Sequence, residues 1–164
     1  MKECLGVDLG NVIIDHLGFG TTSEFFRSGD YNIIPPVSGV LKALRQLNEE
    51  RFGGEVFVVY NATDVADQKI TSWLLTHDFF ARTGILPDRV KRTQNGRNKL
   101  SVCQMYGATH FVDDRLEVLS HLVGEVKNLF LLRPQQQEVE LYKDFLPLVS
   151  QFESWNDLVR FMTT

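Results

Sequence analysis

The chain has 164 residues, of which 43% are hydrophobic and 23% charged, with a formal net charge of −4. That length favours one domain with a full apolar core, and the acidic balance does not point to a nucleic-acid-coating surface, though it leaves room for an isolated basic patch. No stretch approaches the ~20 apolar residues of a membrane span. Lys2 and Glu3 precede only a short apolar run, which predicts no secretory leader. Cys4 and Cys103 match no metal-binding spacing. They read as small buried apolar residues of a chain kept in a reducing cytoplasm.

Residues 4–8 (CLGVD) predict a buried strand, and residues 12–14 (VII) a second short strand or a tight turn. Residues 16–34 read as irregular, with Gly18, Gly20 and Gly29 among the aromatics Phe19, Phe25, Phe26 and Tyr31. Pro35 and Pro36 stand just ahead of a helical pattern, where proline is tolerated. Over 37–51, Val37, Val40, Leu41, Leu44 and Leu47 recur at helical spacing, and Gly53 and Gly54 stop that helix.

Residues 55–60 (EVFVVY) predict a second buried strand. Thr63 or Asp64 caps a helix over 64–77 whose apolar face is Val65, Ile70, Trp73 and Leu74. Residues 80–96 are mixed, with a short strand at DRVKR (88–92) and a turn at Asn95-Gly96. A helix over 97–106 leads to a third main strand at 109–113 (THFVD) and a helix over 115–123. Residues 127–132 (KNLFLL) make a fourth main strand, Pro134 breaks the chain, and 153–162 reads as an amphipathic helix capped by Ser154.

Apolar strands alternating with helices predict an α/β fold: a doubly wound, mostly parallel, Rossmann-like sheet with helices on both faces. Ligands of such sheets bind beyond the carboxyl ends of the strands. The first strand ends in Asp8, the second in Tyr60-Asn61, and the third in Asp113-Asp114; Lys99 opens the helix before the third. Three carboxylates, an amide and an ammonium thus converge on one sheet edge. Clustered carboxylates need a cation. An oxygen-only ligand set suits magnesium, and lysine with an amide donor suits a phosphate. Each piece alone has a plainer reading. Asp8 can be a turn residue, Asp113-Asp114 a helix cap, and Lys99 a solvated charge.

The stretches GVDLGNVII (6–14), VFVVYNAT (56–63), RNKLSV (97–102) and HFVDDR (110–115) resemble the haloacid dehalogenase-like superfamily, from Asp8 to about Arg133. The resemblance implies a nucleophile at Asp8 that forms an aspartyl-phosphate. It implies magnesium held by the Asp8 carboxylate, the backbone carbonyl of Gly10, Asp113 and Asp114. It also implies a phosphate oxygen held by Asn61, with Thr63 as the other candidate. Lys99 would bind phosphate and neutralise developing charge.

The chain departs from that pattern twice. Gly10 stands where phosphatases of the family carry a second aspartate that protonates the leaving oxygen and activates water. Asp15 and His16 are the nearby candidates to substitute. The usual serine or threonine after the second strand is Tyr60 or Asn61, and Asn61 retains an N–H donor. The segment of about 12–34 is long enough for a flap but not for a cap domain, so residues 1–164 are expected to form a single domain with an open site. Phe19, Phe25, Phe26 and Tyr31 are candidates to line its entrance.

The expected function is a magnesium-dependent phosphohydrolase acting on a phosphorylated substrate, slowed by Gly10. A non-catalytic module that binds a phosphoryl ligand or a protein is the main alternative. A different hydrolase of the same superfamily, such as a dehalogenase, is the lesser one.

Overall fold

The computed structural model describes residues 2–94 and 98–164. The chain runs β1 (Leu5–Val7), α1 (His16–Phe19), α2 (Ser23–Ser28), a 3-10 turn at Tyr31–Ile33, and α3 (Val40–Gln46), which continues as a π-turn over Leu47–Arg51. It then forms β2 (Val56–Asn61), α4 (Asp64–Thr76), α5 (Phe79–Thr83), β3 (Val90–Thr93), α6 (Asn98–Tyr106) and β4 (His110–Asp113). The remainder is α7 (Leu116–Ser120), β5 (Asn128–Leu132), α8 (Gln136–Leu141), β6 (Ser150–Phe152) and α9 (Trp155–Thr163). The expected Asn95-Gly96 turn and the first residue of the helix predicted over 97–106 lie outside the described residues.

Every strand pairs in parallel with its neighbours, in the order β3-β2-β1-β4-β5-β6. The chain builds outward from β1 to β3 and then returns to the other side of β1, which makes a switch point between β1 and β4. Val7 pairs with Val112, and the Asp8 amide donates to the Val112 carbonyl at 3.0 Å. This register sets Asp8 and Asp113 side by side as the two strands end.

Side chains alternate between two cores, as period-2 geometry requires. Leu5, Val7, Val56, Val58, Val112, Phe130 and Leu132 face one core with Leu44, Trp73, Phe79, Trp155 and Leu158, the contributions of α3, α4, α5 and α9. Phe57, Val59, Phe111, Leu129 and Leu131 face the other, with Cys103, Leu116, Leu119 and Val139 from α6, α7 and α8. Because both faces are covered, the strands read as continuous apolar runs rather than as alternating ones. Both cysteines are free and buried in the second core, where burial raises the pKa of Cys4 to about 11 and of Cys103 to about 12.

Residues 16–34, expected to be irregular, instead carry α1, α2 and the 3-10 turn. The difference is tertiary in origin. Trp73 Nε1 donates to the Ile34 carbonyl at 2.8 Å, His77 Nε2 to the Asn32 carbonyl at 2.7 Å, and Asn32 Nδ2 to Ser72 Oγ at 3.0 Å. Lys69 Nζ also bonds the Phe26 carbonyl. The flap is therefore fastened to α4 from Phe26 to Ile34. At α7, whose own N-cap side chain makes no capping bond, Glu138 of α8 accepts from the Leu116 and Glu117 amides at 2.7 and 2.9 Å.

Gly6 sits in the middle of β1 between two phenylalanines. A methyl group built there would lie 2.5 Å from Phe111 Cδ2 and 2.6 Å from Phe57 Cζ. Gly6→Ala therefore overpacks the core between the sheet and α6, and the expected loss is about 1–3 kcal/mol. Urea unfolding of the variant beside the parent measures it; equal midpoints would show that the two rings move aside freely.

Candidate active site

Asp8 follows β1, Asp113 ends β4, and Asp114 follows it; all three are buried. One carboxylate oxygen from each lies within 4.8 Å of the others. Lys99, in the first turn of α6, is buried beside them and donates from Nζ to Asp8 Oδ1 at 2.6 Å and to Asp113 Oδ2 at 3.1 Å. Asp113 Oδ1 also accepts from the Arg115 amide at 3.0 Å, which fixes the rotation of that carboxylate.

The charges do not balance. Three carboxylates share one ammonium in a buried site, where an unpaired charge is costly. Burial alone would discharge Lys99, but Asp113 and Asp8 outweigh it and hold its pKa above that of an ordinary lysine. Burial, with repulsion from Asp8, raises the pKa of Asp113 against the pull of Lys99 and the Arg115 amide. Burial, with repulsion from Asp113 and Asp8, raises that of Asp114. A hard divalent cation fits this donor set, because it supplies the missing positive charge and takes oxygen ligands.

The cluster forms the floor of a cavity of about 390 Å³. Of the residues singled out from the sequence, Asp8, Gly10, Asn61, Lys99, Asp113 and Asp114 all line it. Thr63 does not; its Oγ1 accepts from the Ala66 amide at 3.3 Å and caps α4. Phe26 and Tyr31 line the cavity, whereas Phe19 and Phe25 pack edge-to-face on each other, with ring centroids 5.2 Å apart.

Of the two substitutes considered for the missing acid, His16 lines the cavity. Asp15 instead caps α1, accepting from the Gly18 amide at 2.9 Å and pairing with Arg133 at 3.2 Å. Other cavity residues were not singled out as site residues from the sequence, among them Tyr60 as a side chain, Ile70 and Arg115. Tyr60 is the most informative, because its hydroxyl donates to Asp67 Oδ1 at 2.5 Å and ties β2 to α4 beneath Asn61. The seven-residue step from Tyr60 to Asp67 crosses a strand–helix turn and obeys no simple periodicity.

The loop after Gly10 has its own bracing. Asn11 adopts a left-handed conformation (φ 60°), which asparagine tolerates better than most residues, and its Oδ1 accepts from the Leu17 amide at 3.0 Å. Arg133, beyond β5, is also left-handed (φ 49°) and reaches the Asn11 carbonyl and Asp15. Strain of this kind in a long side-chain residue clusters where the surrounding structure fixes a functional loop.

No family model matches the chain, and no curated protein matches it in sequence. Solved structures do match in shape. A D,D-heptose bisphosphate phosphatase from B. bronchiseptica, crystallised with magnesium and phosphate, superposes with a TM-score of 0.66 at 16% identity, over 99% of this chain and 98% of that one. A haloacid dehalogenase-like hydrolase from Burkholderia xenovorans gives 0.68 at 16% identity over 97% and 98%. A HAD-superfamily hydrolase of subfamily IA from Geobacter sulfurreducens gives 0.60 at 13% identity over 98% and 96%. The chain has the haloacid dehalogenase-like fold.

The charge imbalance has a measurable consequence without metal. Asp113 and Asp114 hold protons more tightly in the folded chain than unfolded, so above their ordinary value of 3.8 the native state keeps protons that the unfolded chain has released. Metal-free stability from these two groups therefore falls with rising pH from that value upward. Asp114→Asn should flatten the fall and gain about 1–2 kcal/mol at neutral pH. Unfolding midpoints at pH 5 and pH 8 in chelator test this; a variant as pH-sensitive as the parent would refute it.

Proposed function

We propose that this chain is a magnesium-dependent phosphohydrolase in which Asp8 attacks phosphorus and becomes transiently phosphorylated. The observation that carries the reading is the buried Asp8–Lys99–Asp113–Asp114 cluster, placed at the switch point of the sheet and carrying more negative charge than its one ammonium can balance. The fold it shares with a phosphatase crystallised with magnesium and phosphate supports the same reading.

In this reading Asp8, the Gly10 backbone carbonyl, Asp113 and Asp114 would hold magnesium, which would supply positive charge to the phosphoryl oxygens and so reduce their repulsion of the Asp8 carboxylate. Lys99 keeps Asp8 ionised and oriented, then shares the charge that develops on the transferring group. Asn61, exposed at the end of β2, gives an N–H to a phosphate oxygen. The substrate is a phosphate ester whose phosphoryl end reaches the floor of the cavity, with its remainder against Phe26, Tyr31 and Ile70.

Gly10 supports a second reading, a module that binds a phosphoryl ligand without turning it over. Its position offers no side-chain acid, and the cost of losing one is about 10²–10⁴-fold. Hydrolysis of p-nitrophenyl phosphate with magnesium separates the two. The phosphohydrolase reading expects turnover that chelator abolishes and that Asp8→Asn lowers by at least about 10³-fold. Binding of a phosphate mimic with no turnover in the parent would favour the module. Turnover unchanged in Asp8→Asn would remove Asp8 from the mechanism.

A further inference from the structure

We propose that His16 is the base that takes a proton from the water that hydrolyses phosphorylated Asp8. The inference deepens the phosphohydrolase reading and rests on Asp8 as the nucleophile.

Water attacking a phosphoryl group must give up a proton as the new P–O bond forms. Among the described residues lining the cavity, few groups can take it. Lys99 is charged and engaged with Asp8 and Asp113. Asp113 is held by Lys99 and the Arg115 amide, and with Asp114 it belongs to the cation's carboxylate set. Tyr60 already donates to Asp67. Tyr31 is a buried phenol whose burial raises its pKa, so it stays protonated. His16 is left.

The geometry aims the ring at the right place. A methyl group built on Gly10 would lie 3.8 Å from His16 Cδ2 and 4.0 Å from Nε2, with no other atom within 4 Å. The Cδ2–Nε2 edge therefore faces the space over the residue two positions after Asp8. The ring is held there through its backbone. The His16 amide donates to the Ile14 carbonyl at 3.0 Å, Asn11 Oδ1 accepts from the Leu17 amide, and Asp15, braced by Arg133, caps α1. Burial lowers the imidazole pKa, against the opposing pull of Asp15 and Asp8, and so favours the neutral ring that can accept a proton.

Tyr31 completes the device, with its hydroxyl 3.1 Å from His16 Nε2. A hydroxyl can donate to a neutral ring nitrogen and accept from a protonated one, so it stays paired in both states. In the step itself, the water oxygen bonds to phosphorus and the bond from phosphorus to the Asp8 oxygen breaks. Its electron pair returns to the carboxylate. The Tyr31 hydroxyl passes its proton to Nε2 as its oxygen takes the water proton, so Tyr31 ends as a phenol accepting from Nε2–H, and the imidazolium then releases a proton to solvent. Phosphate leaves, and Asp8 and His16 are regenerated.

The test separates the two half-reactions with p-nitrophenyl phosphate and magnesium. Nitrophenol is a good leaving group and needs little protonation, so phosphorylation of Asp8 should survive loss of the base. His16→Gln is expected to keep a rapid burst of nitrophenol of about one equivalent, while steady turnover falls about 10²–10⁴-fold. Adding Gly10→Asp to His16→Gln should recover part of that turnover, because the space over Gly10 is open to a carboxylate. A thermal melt within a few degrees of the parent establishes that the variant is folded. If it is not, His16→Asn with the same burst measurement replaces it. Steady turnover within about threefold of the parent, or loss of burst and turnover together, overturns the assignment. An inactive Asp8→Asn beside a fully active His16→Gln would remove His16 alone. A parent that never releases nitrophenol would remove the phosphohydrolase reading and this inference with it.

Discussion

Three buried carboxylates gathered around one ammonium are the constraint that organises this molecule. Water would dissipate that repulsion, but the site lies at the sheet edge with Asp113 wholly buried and Lys99 nearly so. The chain accepts the cost because β1 and β4 are neighbours in exact enough register for Asp8 to borrow the Val112 carbonyl. Lys99 recovers part of the energy through two charge-assisted hydrogen bonds. What is left over is negative charge that the one ammonium does not balance and that a hard divalent cation would.

The rest of the fold serves to keep those groups still. Two cores clamp the sheet from both faces, so the strand ends have little freedom to splay. Gly6 lets Phe57 and Phe111 close over the middle of β1, two residues before Asp8. The flap is tied to α4 by an indole, an imidazole, an amide and an ammonium, each on a backbone or hydroxyl partner. The cavity wall carrying Tyr31 and Phe26 is therefore a built surface.

Much of this was legible in the sequence, for a physical reason. Strands buried on both faces read as apolar runs, and the acids that end them stand out because a carboxylate has no business inside the run. EVFVVY and THFVD were found this way, and Asp8, Asn61, Lys99, Asp113 and Asp114 came together as expected at one cavity. What stayed hidden depends on distance in the chain. The short helices α1 and α2 are too brief to show a periodicity and owe their form to α4. The cap of α7 comes from Glu138, over twenty residues away. Thr63 was ambiguous between phosphate and helix cap because a threonine hydroxyl serves both, and only its bond to the Ala66 amide distinguishes them. His16 and Asp15 are adjacent in sequence, yet one faces the cavity and the other turns to Arg133.

One further contact joins the two ends of the described chain. Trp155 of α9 is buried, and its Nε1 donates to the carbonyl of Val12 at 2.8 Å, across 143 positions. Val12 belongs to the turn that carries Gly10 and Asn11. Proteins emerge from the ribosome amino end first. The residues around Asp8 are thus made well before the indole that satisfies their turn. Until that helix docks, the Val12 carbonyl lacks its indole partner. The order of synthesis thereby imposes a delay: Asp8 exists as a residue long before the loop beside it has its final shape.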